Sequence, residues 1–125
     1  MCGIVGILNN RSPVDPTVLG RMNAEIEHRG PDEEGLYLDG QIGLAMRRLK
    51  VIDLKSGTQP IENEDRTCRI VCNGEIYNFP SLRQSLISRG HRFSSQSDTE
   101  TILHLYEEHG VGCVNHLNGM FAFAI

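Results

Sequence analysis

The strongest constraint on the fold is a set of short, continuously apolar runs. Ile4-Val5-Gly6-Ile7-Leu8 and Met120-Phe121-Ala122-Phe123-Ala124-Ile125 are too short for ordinary helices and do not alternate apolar with polar. Runs of this kind read as strands covered on both faces. Two stacked sheets flanked by helices supply such cover. The pattern itself leaves the number of layers open. At 125 residues the chain makes one domain, long enough for a real core.

Between these runs the punctuation is regular. Asp15-Pro16 predicts an N-cap followed by proline in the first turn of a helix. That helix carries Val18, Leu19, Met22 and Ile26 on one face and stops near His28, ahead of Gly30-Pro31. Asp39-Gly40 between Leu36-Tyr37-Leu38 and Ile42-Gly43-Leu44-Ala45 predicts a hairpin. Thr67 to Cys72 reads as a strand ending in an Asn73-Gly74 turn, and Pro80 to Arg89 as a helix stopped by Gly90. Ser97-Asp98-Thr99-Glu100 fits a capping box opening a helix to Gly110, with a short helix after it from Val111 to Leu117.

Composition excludes several classes. A net charge of −4 with no basic cluster argues against nucleic acid, and no apolar run approaches a membrane span. The start lacks the basic and apolar regions of a signal peptide, so the expected location is cytoplasmic, with reduced thiols. Cys68 and Cys72, in one predicted strand, sit roughly 13 Å apart, too far for a disulfide. With Cys113 they read as small buried apolar residues.

Cys2 differs because of its place. If Met1 is removed, one residue carries a thiol and a free α-amine. An α-amine, with an unperturbed pKa of about 7.7–8.0, is partly neutral near physiological pH and can take the thiol's proton. The plainer reading is a frayed terminus. Arg48, after an apolar strand, suits a carboxylate held by two parallel hydrogen bonds, although a surface arginine is the commoner case. The Asn73 amide and the Gly74 N–H, side by side, suit an oxyanion, although Asn-Gly is also a frequent turn. Asp98 suits a substrate ammonium held jointly with Glu75, although capping alone would justify it. The five histidines (His28, His91, His104, His109 and His116) show no metal-ligand spacing on one face and read as structural or exposed, so no metal is expected.

Taken in order, Met1-Cys2-Gly3-Ile4, His28-Arg29-Gly30-Pro31-Asp32, Arg48-Leu49 with Val51-Ile52-Asp53, Gln59-Pro60, Asn73-Gly74-Glu75-Ile76-Tyr77-Asn78, Ser97-Asp98-x-Glu100 and Gly119-Met120-Phe121-Ala122-Phe123 form a wider pattern. It resembles the N-terminal glutaminase domain of glutamine-dependent asparagine synthetases, class II glutamine amidotransferases with an N-terminal nucleophile. The resemblance spans essentially the whole chain. Relatives that make glucosamine phosphate or phosphoribosylamine share the Met-Cys-Gly-Ile start but usually depart after His-Arg-Gly and lack Asn-Gly-Glu-Ile-Tyr-Asn.

The resemblance implies an α+β fold, a four-layer αββα sandwich of two mostly antiparallel sheets. It implies Cys2 as nucleophile with its own amine as base, and Asn73 and Gly74 as oxyanion hole. Arg48 would bind the glutamine α-carboxylate, Leu49, Lys50, Val51 and Ile52 would line the pocket, and Glu75 and Asp98 would hold the α-ammonium. Arg29 and Asp32 would support the site. L-glutamine is the implied substrate and a C-terminal synthetase domain the implied partner, with room for a homodimer. The implied cofactors, ATP and Mg²⁺, belong to that synthetase domain and none to residues 1–125. An ending inside an apolar strand leads us to expect an incomplete domain, truncated at its C-terminal side. Two alternatives stay open: an amidotransferase domain serving another carboxylate acceptor, and a non-catalytic module that binds glutamine or a partner.

Overall fold

The computed structural model describes residues 2–50 and 55–125. β1 (Gly3–Leu8) pairs antiparallel with β3 (Ile42–Arg48), which pairs on its other side with β2 (Glu33–Asp39). A second three-stranded sheet has the order β4 (Ile61–Glu62), β5 (Arg69–Ile76), β6 (Gly119–Ala124), again antiparallel. The helices are α1 (Pro16–Glu25), α2 (Phe79–Ser88) and α3 (Asp98–His109).

Four buried clusters define the layers. Leu19 of α1 packs with Val14 and Ala45, and with Val5 and Ile7 of β1. Leu44 and Met46 of β3 meet Val71 of β5 between the two sheets, with Cys2, Ile4, Tyr37 and Ala124 around them. On the far side Ile70, Cys72 and Ile76 of β5 pack on Ile102 and Leu103 of α3, and Leu86 of α2 joins Leu105 and Cys113. Arg69 of β5 also lies over the Tyr37 ring of β2, 4.3 Å from its centroid, tying the sheets together from the side. The order is helix, sheet, sheet, helices, so the α+β four-layer sandwich expected from the sequence is the fold. Each sheet has one face on the other sheet and one on helices, so the central strands β3 and β5 are the buried ones; the two continuously apolar runs are instead the edge strands β1 and β6, and Leu8, Met120 and Phe121 in them are exposed rather than covered on both faces.

Local signals worked where their chemistry was local. Asp15 Oδ1 accepts the Thr17 N–H at 2.8 Å, with Pro16 in the first turn. The short helix after α3 is a 3-10 segment, Gly110–His116. Several details differ from expectation. α1 ends at Glu25, and a separate 3-10 turn, Glu27–Arg29, carries the chain to Gly30. Its inner face is Leu19 and Asn23, while Val18 and Met22 are exposed. The hairpin register pairs Asp39 with Ile42, so the two turn residues are Gly40 and Gln41 rather than Asp39 and Gly40. Only Gly40 has positive φ, +54°, the pattern of a type II′ turn.

The larger correction concerns Asn73-Gly74. There is no turn there: β5 continues to Ile76, pairing Asn73 with Ala122 and Gly74 with Phe121. A Cβ on Gly74 would stand 2.1 Å from the Met120 carbonyl oxygen and 2.6 Å from Phe121 Cα. Glycine is required here by the close approach of β6 and not by a turn.

At α3, Ser97 is the N-cap and its hydroxyl accepts the Thr99 N–H at 3.2 Å. Glu100 does not close the reciprocal half of a capping box. Its carboxylate accepts the N–H and hydroxyl of both Ser94 and Ser95, and the Ser97 N–H goes to Ser95 Oγ. Burial alone would raise the Glu100 carboxyl; His104 and the Ser95 and Ser94 donors outweigh it and hold it down at about 2.

Candidate active site

β1 begins one residue after Cys2, so the sheet fixes the thiol at its end. The Leu49 N–H points at Cys2 Sγ from 3.3 Å, and the Leu49 carbonyl lies 3.6 Å from the same sulfur. Arg29 Nε donates to the Cys2 carbonyl at 3.0 Å. The rest of the Arg29-Gly30-Pro31-Asp32 stretch is equally tied to this corner. Gly30 lies so close to the Arg47–Arg48 peptide that a Cβ would meet three of its atoms within 2.5 Å. Pro31 bridges to Arg48, the Asp32 N–H donates to the Arg48 carbonyl at 3.1 Å, and Asp32 Oδ2 accepts the Lys50 N–H at 2.9 Å. The short 3-10 exit from α1 thus braces the end of β3, from which Arg48 and Leu49 emerge.

Arg48 is buried at 4% exposure, and its Nη1 donates to Glu33 Oε2 at 3.0 Å. Thr58 Oγ1 donates to the other Glu33 oxygen at 2.7 Å, and Lys50 Nζ stands 3.8 Å from Glu33. Burial would raise the Glu33 carboxyl, but Thr58, Arg48 and Lys50 together hold it below the usual carboxylate range. Glu33 escaped the sequence reading. The signal that locates it is the hairpin register, which sets Glu33 opposite Arg48.

These residues face β5 and β6 across a cavity of about 130 Å³, lined by Cys2, Arg48, Leu49, Gln59, Cys72, Asn73, Gly74, Glu75, Ser97 and Met120. The volume is small beside the roughly 300–1,000 Å³ of drug-sized ligand sites. It suits one small molecule engaged end to end. A larger hollow of about 510 Å³ opens elsewhere, by the 56–66 segment and residues 92–94, and holds none of the nucleophile, arginine or amide groups singled out from sequence.

Of the residues expected at the site, Cys2, Arg48, Leu49, Asn73, Gly74 and Glu75 therefore share one cavity. Lys50 is turned toward Asp32 and Glu33 and does not line it. Asp98 is buried behind it. Its Oδ2 accepts the Ile76 N–H at 2.8 Å and its Oδ1 the Thr99 N–H at 3.0 Å, so the carboxylate fastens the end of β5 to the first turn of α3. Val51, Ile52 and Met1 lie outside the described residues. Gln59, Cys72, Ser97 and Met120 line the cavity without having been assigned to it. Gln59 is buried, accepts the Cys72 N–H at 2.6 Å and donates to Thr99 at 3.3 Å. A glutamine before proline in a polar stretch was the available signal.

The two thiols in the cavity are not equivalent. Burial, the Asp98 charge and the neighbouring Cys2 push the Cys72 thiol up to about 12. It stays a neutral, unreactive wall. Cys2 is the half-buried thiol, with a peptide N–H aimed at its sulfur.

The sequence profile of the glutamine amidotransferase domain family matches residues 1–125. The whole chain is 44% identical over 129 residues to asparagine synthetase (glutamine-hydrolysing) 2 of Bacillus subtilis strain 168, covering 17% of that protein. It is 45% identical over 127 residues to asparagine synthetase (glutamine-hydrolysing) 1 of Arabidopsis thaliana, covering 21% of it. The chain thus spans about a fifth of the length of these relatives. In fold, it superposes on the glutamine phosphoribosylpyrophosphate amidotransferase of B. subtilis with a TM-score of 0.72, over 98% of this chain and 34% of the other, at 19% identity.

Proposed function

The chain belongs to the glutamine amidotransferase domain family, and from that premise we propose that it hydrolyses L-glutamine with Cys2 as nucleophile. The ammonia passes to an ATP-dependent synthetase module that amidates aspartate. One observation carries the reading: a thiol held over the Leu49 peptide at the end of one sheet shares a small cavity with Asn73, Gly74 and Glu75 of the other sheet and with a buried arginine.

Removal of Met1 frees the Cys2 amine, which takes the thiol proton as sulfur attacks the side-chain amide carbon of glutamine. The Asn73 amide and the Gly74 N–H stabilise the tetrahedral oxyanion, each such donor being worth about 10²–10³ in turnover. Collapse expels ammonia, which leaves with the proton from the amine, and a γ-glutamyl thioester remains. Water then attacks the thioester, the amine again accepting and returning a proton, and glutamate departs with the thiol restored.

Arg48 takes the α-carboxylate of the free amino acid, held in place by Glu33. Glu75 takes the α-ammonium. Asp98 lies behind the cavity wall and fixes the end of β5, each of its oxygens accepting one backbone N–H. One cation and one anion beside the nucleophile select a free amino acid over an amide within a peptide chain. ATP and Mg²⁺ act in the synthetase module, consistent with similarity to proteins about five times this length. Among the described residues no helix is long and apolar enough to cross a membrane, and a cytoplasmic location is part of the proposal.

The test is intact mass before and after exposure to 6-diazo-5-oxo-norleucine, a glutamine-shaped electrophile. The expected result is a chain lacking Met1 that gains one adduct, mapped to Cys2 and prevented by excess glutamine. An adduct at Cys68, or labelling indifferent to glutamine, would overturn the assignment.

A further inference from the structure

A second convergence of side chains lies outside the Cys2 cavity. Glu64 follows β4, His91 follows α2, and His104 and Glu107 stand three apart on α3. One ligand-type atom from each of the four lies within 4.8 Å of every other. His91 Nδ1 and His104 Nδ1 are 3.2 Å apart. Glu107 Oε2 is 2.7 Å from His104 Nδ1 and 3.5 Å from His91 Nδ1, and Glu64 Oε2 is 3.8 Å from His104 Nδ1.

The outer ends of these side chains are held as well. Glu64 Oε1 accepts the Arg92 N–H at 2.7 Å, and Glu107 Oε1 accepts the Asn63 amide at 2.8 Å. His91 Nε2 meets Glu108 Oε1 at 3.1 Å. His104 is fully buried, and its Nε2 has no hydrogen-bond partner; the nearest group is Glu100 Oε1 at 3.6 Å. Each imidazole thus presents Nε2 to a carboxylate. Both Nδ1 atoms therefore face inward, toward each other and Glu107; the 2.7 Å contact of His104 Nδ1 with Glu107 is a hydrogen bond, whose proton a metal ion would replace. Two imidazole Nδ1 atoms and two carboxylate oxygens then converge on one point, where a single cation can replace the shared protons.

We propose that Glu64, His91, His104 and Glu107 form a four-ligand site for a zinc-class divalent cation. The spacing fits: metal–ligand bonds of about 2.0–2.2 Å in a tetrahedron put the ligand atoms roughly 3.3–3.6 Å apart, and the four separations above, from 2.7 to 3.8 Å, straddle that range. Two imidazoles with two carboxylates suit zinc better than calcium or magnesium, which take oxygen donors. The outer carboxylates supply the usual second layer around histidine ligands. Phe93 walls one side of His104, ring centroids 4.5 Å apart, and the 510 Å³ hollow reaches Glu64, giving the ion a route in. With four protein ligands the site is structural. It pins the β4–β5 connection and the segment after α2 to α3, and so supports the helix whose first turn anchors β5 through Asp98.

The experiment uses chelator-stripped protein titrated with zinc chloride. Metal content is measured after desalting, with thermal melts in parallel. One zinc per chain is expected, with a melting temperature on the order of 10 °C higher when zinc is saturating. Cobalt(II) should give the intense visible bands of a tetrahedral site. His91→Ala and Glu64→Gln, both at residues that reach the surface, should lose the ion and melt like the stripped protein while keeping its circular dichroism. If stripped wild-type protein retains no zinc and its melting ignores both zinc and chelator, the pair of histidines is held by protons and the proposal fails. It fails equally if both variants bind zinc as the wild type does. None of these readouts depends on Cys2 chemistry.

Discussion

Replacing Gly74 with alanine tests the central claim about the cavity wall, that β5 and β6 press together where the proposed oxyanion donors sit. The added Cβ would lie 2.1 Å from the Met120 oxygen and 2.9 Å from Phe121 Cβ. Ordinary contact needs roughly 3.5 Å, so one strand must retreat by more than about 1 Å. The obstacle is hydrogen-bonded backbone and cannot rotate away. Overpacking costs typically about 1–3 kcal/mol, and the upper end applies here. For a chain of this size about 3 kcal/mol lowers the melting temperature by roughly 10 °C. A misplacement of about 1 Å also costs on the order of 10²-fold in turnover. Glutamine hydrolysis measured well below the melting transition should therefore fall about 100-fold while the chain stays folded. Iodoacetamide should still label Cys2 at the wild-type rate, because the thiol belongs to the other sheet. Gly20→Ala is the control. It sits inside α1 with nothing within 4 Å of an added Cβ, so it should leave turnover unchanged and stabilise by about 1 kcal/mol. Wild-type melting and turnover in Gly74→Ala would refute the argument.

Two further outcomes follow from the same geometry. Arg48→Lys keeps the charge and loses the planar fork, so the KM for glutamine should rise on the order of 10²-fold with kcat nearly unchanged; an unaltered KM would remove Arg48 from carboxylate binding. Cys72 titrates from an ordinary 9.0 up to about 12 on folding. Its stabilising effect is complete below pH 9 and declines as pH rises, because the unfolded thiol releases its proton first, by about 1.4 kcal/mol per pH unit. Urea midpoints of wild type and Cys72→Ala should converge between pH 9 and pH 11, and parallel curves would contradict the burial argument.

What was legible in the sequence was whatever neighbours decide. The Asp15-Pro16 start, the β1 run and the stop at Gly90 depend on a few adjacent residues, and the structure has them. Asn73-Gly74 failed as a turn because its partner residues, Ala122 and Phe121, lie nearly fifty positions later, and a glycine needed for backbone approach looks the same as one needed for a turn. The α1 face was misjudged at Val18 and Met22 because helix periodicity cannot tell which side meets the sheet. Asn23, buried instead, is explained only by its bonds to Glu34 and Arg47. Glu33 and the His91–His104 pair were hidden for the same reason. Each acquires meaning from a residue on another element.

The proposed nucleophile Cys2, Leu49 and Arg48 sit on the β1–β3 side of the inter-sheet packing, and Asn73, Gly74 and Glu75 sit on the other. Neither half carries a working centre. On the proposed reading, chemistry therefore switches on only when the seam closes, and a chain with one sheet built would spend no glutamine. Turnover per molecule becomes a gauge of how many chains have docked their two layers, and an inhibitor that merely wedges the layers apart needs no resemblance to substrate.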